Sequence, residues 1–106
     1  MEEKPIRRVK AEWTEVVLVC RKCSKKLKGG FGENGDQKLA KALRKALGAK
    51  GTGRKSGSAV IEVDCLDVCP KGAVVVVRGS RPREWAIVPR GTAISAVVDR
   101  LELLER

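Results

Sequence analysis

The sequence predicts an α/β fold: a single mixed four-stranded sheet in the order strand, helix, strand, cysteine loop, hairpin, helix. Three observations carry this. Short runs rich in β-branched residues recur at 16–19, 59–63, 73–78 and 84–88, each the length of a strand. A single amphipathic leucine repeat lies between the first two runs, and such a strand–helix–strand unit places its strands parallel with a right-handed crossover. The connection 79–83, GSRPR, is short enough for a hairpin, so the last two strands should be antiparallel neighbours.

Residues 1–14 are charged and weakly patterned, and are expected to form a mobile or loosely attached lead-in to one domain over 15–106. Val16, Val17, Leu18 and Val19 then form a buried strand that ends in Cys20. Residues 24–35 combine lysines with four glycines and predict a loop, with at most one helical turn at its start. Asp36 is a candidate N-cap. Leu39, Leu43 and Leu47 repeat every four residues, with Ala40 and Ala46 beside them and Lys38, Lys41, Arg44 and Lys45 facing elsewhere. This is an amphipathic helix that Gly48 can stop. Residues 48–58 are rich in Gly, Ser and Lys and predict a flexible surface connection. Neither half of the chain could build a core alone, so this is a loop within one domain.

Ala59 to Val63 predicts the second strand, ending near Cys65, and Ala73 to Arg78 the third. Glu84 to Val88 predicts the fourth. Thr92 can cap a last helix whose apolar stripe is Ile94, Val97, Val98, Leu101 and Leu104.

Composition narrows the function. The chain has 106 residues, 42% of them hydrophobic, which suits one small core. No apolar run is long enough to span a membrane. The start, MEEKPIRRVKAEW, carries charge where a signal peptide needs apolar residues, so a cytoplasmic setting is expected. Thiols stay reduced there, which disfavours disulfides. With 23 basic and 13 acidic residues the formal charge is +10, which suits an acidic partner. A nucleic acid has less support. The only aromatics are Trp13, Phe31 and Trp85, none of them interleaved in the basic runs, so base stacking has little to build on. There is no histidine. That excludes a histidine general base, a cysteine–histidine nucleophile, a mixed cysteine/histidine zinc site and a Rieske centre.

The candidate site residues are the four cysteines, Cys20, Cys23, Cys65 and Cys69, in two close pairs. Residues 24–64 separate the pairs, yet each pair begins where a predicted strand ends. Parallel strands end at one edge of a sheet and neighbours lie about 4.8 Å apart. Both pairs should therefore open onto one rim, where α/β proteins place their sites. Four thiolates suit zinc or an iron–sulfur cluster. In a [2Fe–2S] cluster each iron takes two protein sulfurs, so one pair on each iron, Cys20 and Cys23 on one and Cys65 and Cys69 on the other, is the expected arrangement, with a crossed pairing as the alternative. Backbone N–H groups of residues 66–72 are the expected donors to sulfur, with Gly72 allowing close approach and Pro70 stiffening the turn. Asp64 and Asp67 would favour an oxidised centre, and Arg21, Lys22 and Lys71 a reduced one.

The segments VVLVCRKC and VDCLDVCPKGAVVVV, with a helix between them and a tryptophan strand and final helix after, resemble the thioredoxin-like [2Fe–2S] ferredoxins. That group includes related metal-binding proteins with a Cys-x-x-Cys first pair. The resemblance covers roughly residues 15–104. It implies a thioredoxin-like fold, an electron carrier rather than an enzyme, and a role for Cys65 and Cys69 as the second ligand pair. The first pair is more closely spaced than in the better-known ferredoxins, which keeps zinc open as the bound metal. A third reading is a thioredoxin-type dithiol using Cys20 and Cys23. It requires Cys20 at a helix N-terminus, which lowers a thiol pKa. The glycine- and lysine-rich residues after Cys23 argue against such a helix.

Overall fold

A computed structural model of the protein describes residues 4–48, 57–68 and 70–102. It is a small α/β domain with one mixed four-stranded sheet and, among the described residues, three helices. Strand β1 (Glu15–Cys20) leads into helix α1 (Arg21–Leu27), and α2 (Leu39–Leu47) follows. Then come β2 (Ser58–Val63), β3 (Ala73–Arg78), β4 (Trp85–Pro89) and α3 (Ile94–Arg100). The sheet order is β2–β1–β3–β4. β1 and β2 pair in parallel, while β3 runs antiparallel to both β1 and β4. The strand–helix–strand unit and the hairpin thus stand as the sequence predicts. Residues 4–13 carry no helix or strand and are mostly exposed. Cys69, Leu104 and most of the expected 48–58 connection lie outside the described residues.

The register explains the core. Val17 and Val19 of β1, Val60 of β2, Val74 and Val76 of β3 and Val88 of β4 share one sheet face, because strand side chains alternate. All six are buried. They join one cluster with Leu39, Ala40 and Leu43 of α2, Val97 and Val98 of α3, and Cys23 and Leu27 of α1. On the opposite face Val75 and Val77 are also covered, but Trp85 and Ile87 of the edge strand are exposed.

Three expectations are corrected. Residues 21–27 form a helix, so the single turn allowed at the start of the expected 24–35 loop is the end of a seven-residue helix that begins right after Cys20. Cys23 and Leu27, one turn apart, turn to the core, and Lys25 and Lys26 sit in the last turn, where the helix dipole favours cations. Lys28 ends the helix in the left-handed conformation. Second, the caps shift: Lys38 rather than Asp36 precedes α2, and Ala93 rather than Thr92 precedes α3. The Thr92 hydroxyl donates instead to the Pro89 carbonyl at 2.6 Å. Third, Arg44 does not face away from the core. Its guanidinium donates to the Val60 carbonyl at 2.7 and 3.0 Å and ties α2 to β2.

Glu15 anchors the other end of β1. Its carboxylate accepts from the Ser80 hydroxyl at 2.6 Å, the Val16 amide at 2.9 Å, Arg78 at 3.0 Å and the Ser80 amide at 3.3 Å. Burial alone would raise its pKa, but these donors outweigh burial and hold the group below the ordinary value of 4.5. A carboxylate with a depressed folded pKa stabilises above its unfolded pKa and loses that stability as pH falls through the folded value. Glu15→Gln should therefore cost about 1–3 kcal/mol at pH 7. In urea unfolding followed against pH, the gap to wild type should stay constant above the ordinary carboxylate range and close below it. A gap independent of pH down to strong acid would contradict the assignment.

Candidate functional site

Strand β1 delivers Cys20 to the rim fully buried. There the backbone stays extended (φ −66°, ψ 114°), and Cys20 becomes the N-cap of α1. Its sulfur accepts the Cys23 N–H at 3.5 Å, in the manner of a Ser or Asp cap. Cys23 follows one turn later, 5% exposed. The hydroxyl of buried Ser24 donates to the Cys20 carbonyl at 3.0 Å, which fixes the strand-to-helix turn. The Cys-Arg-Lys-Cys segment is thus a helix start.

The parallel register sets Val63, the last residue of β2, opposite Cys20. The chain leaving β2 therefore emerges on the same rim. Asp64 meets Arg21 across it at 3.6 Å, an exposed pair that contributes little stability. Asp67 then adopts a left-handed conformation (φ 64°) that turns the loop back. Its amide donates to the Cys65 sulfur at 3.4 Å. The Cys23 thiol lies 3.9 Å from the Val68 carbonyl. The second cysteine loop is folded over the first pair.

Electrostatics at Cys20 favour a thiolate. Burial alone would raise its pKa. The Cys23 amide and side chain and the amides of Leu66 and Lys22 outweigh it, and the thiol lies below its ordinary value.

Cys20 and Cys23 are therefore brought together, and the loop carrying Cys65 touches both. Cys65 itself is half-buried. Among the described residues, no three cysteine or carboxylate side chains stand close enough to hold one metal ion. Cys69 lies outside the described residues. Of the expected donors in 66–72, the Asp67 amide reaches the Cys65 sulfur. Pro70 and Gly72 (φ 65°) form the turn into β3. A cleft of about 250 Å³ opens beside Cys23, lined by Lys22, Lys26, Pro70, Lys71 and Gly72 among others. Two larger hollows, of about 500 and 850 Å³, contain no cysteine.

The sequence reading missed Ser24, Lys26 and the capping role of Cys20. Cys23 and Leu27 at helical spacing, with Ser24 four residues after Cys20, were the available signal.

No helix among the described residues is long and apolar enough to cross a membrane. No protein-family model, curated protein or solved structure matches the chain.

Proposed function

We propose that the chain is a small electron carrier that holds one [2Fe–2S] cluster, Cys20 and Cys23 on one iron and Cys65 and Cys69 on the other. One observation carries this: the Cys23 thiol lies 3.9 Å from the Val68 carbonyl of the second cysteine loop, so two loops far apart in sequence meet on one rim. The residues fit such a group in three respects. The cysteines fall in two close pairs along the sequence, as a two-iron centre requires. N–H donors point at two of the sulfurs. Cys20 and Cys23 are shielded from water. The sheet order β2–β1–β3–β4 with a closing helix supports the thioredoxin-like reading of the fold.

When bound, the cluster would supply one-electron transfer. The chain's own residues lower the Cys20 pKa, shield Cys20 and Cys23 from water and set the local charge. Arg21, Lys22 and Lys71 favour the added electron, and Asp64 and Asp67 oppose it. A cytoplasmic setting would keep the thiols free, and a charge of +10 suits an acidic redox partner.

Protein purified without oxygen should be reddish-brown and carry about two irons and two sulfides per chain. Metal and sulfide analysis with visible spectroscopy checks this. Colourless protein with one zinc per chain would overturn the cluster and select a four-cysteine zinc module.

A second reading has one specific observation in its favour. Cys20 caps α1 and its pKa is lowered, the placement that activates a dithiol. Complete burial of Cys20 counts against it, because an attacking sulfur needs access. Metal-free protein that cycles reversibly between a Cys20–Cys23 disulfide and two thiols would select this reading.

A further inference from the structure

We infer that the cleft over Cys23 is a docking face for an acidic partner protein, whose carboxylates engage Lys22, Lys26 and Lys71. The inference rests on the electron-carrier reading of the cysteine site and names its partner surface. Lys22 and Lys26 stand four residues apart on α1, and Lys71 stands on the turn before β3. All three are exposed and line one cleft with Cys23, and among the described residues no acidic residue lines it. Among the described residues none of the three is ion-paired, and Asp64 is paired with Arg21.

This arrangement works against the isolated domain. Like charges four apart on a helix repel. Lys22 lies in the first turn of α1, where the helix dipole disfavours a cation, and that turn holds no acidic residue. A partner's carboxylates would relieve both conflicts, and opposed charge speeds and orients encounter. The cleft also supplies direction. Its wall includes Cys23, so an acidic surface seated on the three lysines lies directly over the first cysteine pair. A protein surface fits better than a nucleic acid, because no aromatic side chain lines the cleft for bases to stack on.

The test uses a fluorescein-labelled ten-residue polyglutamate peptide and a labelled single-stranded oligonucleotide of equal charge, each followed by fluorescence anisotropy at low salt. Two triple variants are compared, Lys22→Gln/Lys26→Gln/Lys71→Gln and Lys38→Gln/Lys41→Gln/Lys45→Gln. Each removes three positive charges, so they have equal net charge. The first should weaken peptide binding about tenfold and the second less than about twofold, as three local pairs at a low-salt surface allow. Equal weakening by both would overturn the docking face, because net charge alone would then explain binding. An oligonucleotide that binds more tightly than the peptide, and is lost in the first variant, would overturn the choice of a protein partner. Iron and sulfide are assayed on the same samples. Discrimination between the variants without a cluster would sink the electron-carrier reading alone; a cluster without discrimination would sink the docking face alone.

Discussion

Cys20→Ser is expected to leave a folded protein that has lost its iron and its visible colour. The sulfur of Cys20 accepts the amide of its own helix turn, and the second cysteine loop packs against Cys23 in that same turn. Serine can keep the capping contact, since a hydroxyl accepts the same N–H. It cannot replace a soft thiolate toward iron. Disturbing partners outside the ligand shell already costs about 10–100-fold in metal affinity, so loss of a ligand should cost well over that. Ser24→Ala is the control. Its hydroxyl bonds the Cys20 carbonyl and no sulfur, so it should cost about 1 kcal/mol in stability and leave the iron content unchanged. Iron per chain, measured alongside the far-UV spectrum, checks both. Iron retained by Cys20→Ser at the wild-type level would mean that the first pair holds no metal.

The rim itself was legible in the sequence, and the reason is topological. β3, with four consecutive valines between Ala73 and Arg78, sits inside the sheet between β1 and β4 and is buried on both faces. A continuous apolar run is the mark of such a strand. One helical repeat between the first two strands was enough to predict that β1 and β2 run parallel. What could not be read were features that depend on contacts distant in sequence or on very short elements. Helix α1 has seven residues, too few for a period to show, and of its buried residues Cys23, Ser24 and Leu27 only the last is a large apolar side chain. The Glu15–Arg78 contact joins residues 63 apart. Glycine density suggested a loose loop after Cys23. Gly29 and Gly30 instead adopt φ near 100° in a tight turn, where an added Cβ on Gly29 would meet the Asp36 backbone. The rim on which Cys20 sits and from which the chain toward Cys65 leaves β2 was therefore visible, while the cap geometry that lowers the Cys20 pKa was not.

Phe31→Ala should produce the largest loss of stability of any change proposed. Phe31 lies in the glycine-rich segment, yet it is 1% exposed and belongs to the same cluster as Leu27, Leu39 and Leu43. The loop is built to hold it there. The Phe31 amide donates to Gln37 at 3.0 Å and the Gln37 amide returns a bond at 2.9 Å. The Gly30 amide donates to Gly35 at 2.9 Å, and its carbonyl accepts from Gly91 at 2.9 Å. A backbone so pinned cannot collapse into the space that a missing ring leaves, so the cavity cost adds to the lost transfer energy. Phenylalanine-to-alanine changes in such sites cost about 3–5 kcal/mol, against a total of about 5–15 kcal/mol for a typical domain. With a urea slope of about 1–1.5 kcal/mol/M for a chain of this size, the midpoint should fall by about 2–5 M. Phe31→Leu, which keeps most of the volume, should cost less than about half as much. A loss under about 1 kcal/mol for alanine would mean that the loop yields. In that case Leu27, and through it the helix that carries Cys23 and two of the cleft lysines, would be held by the sheet alone.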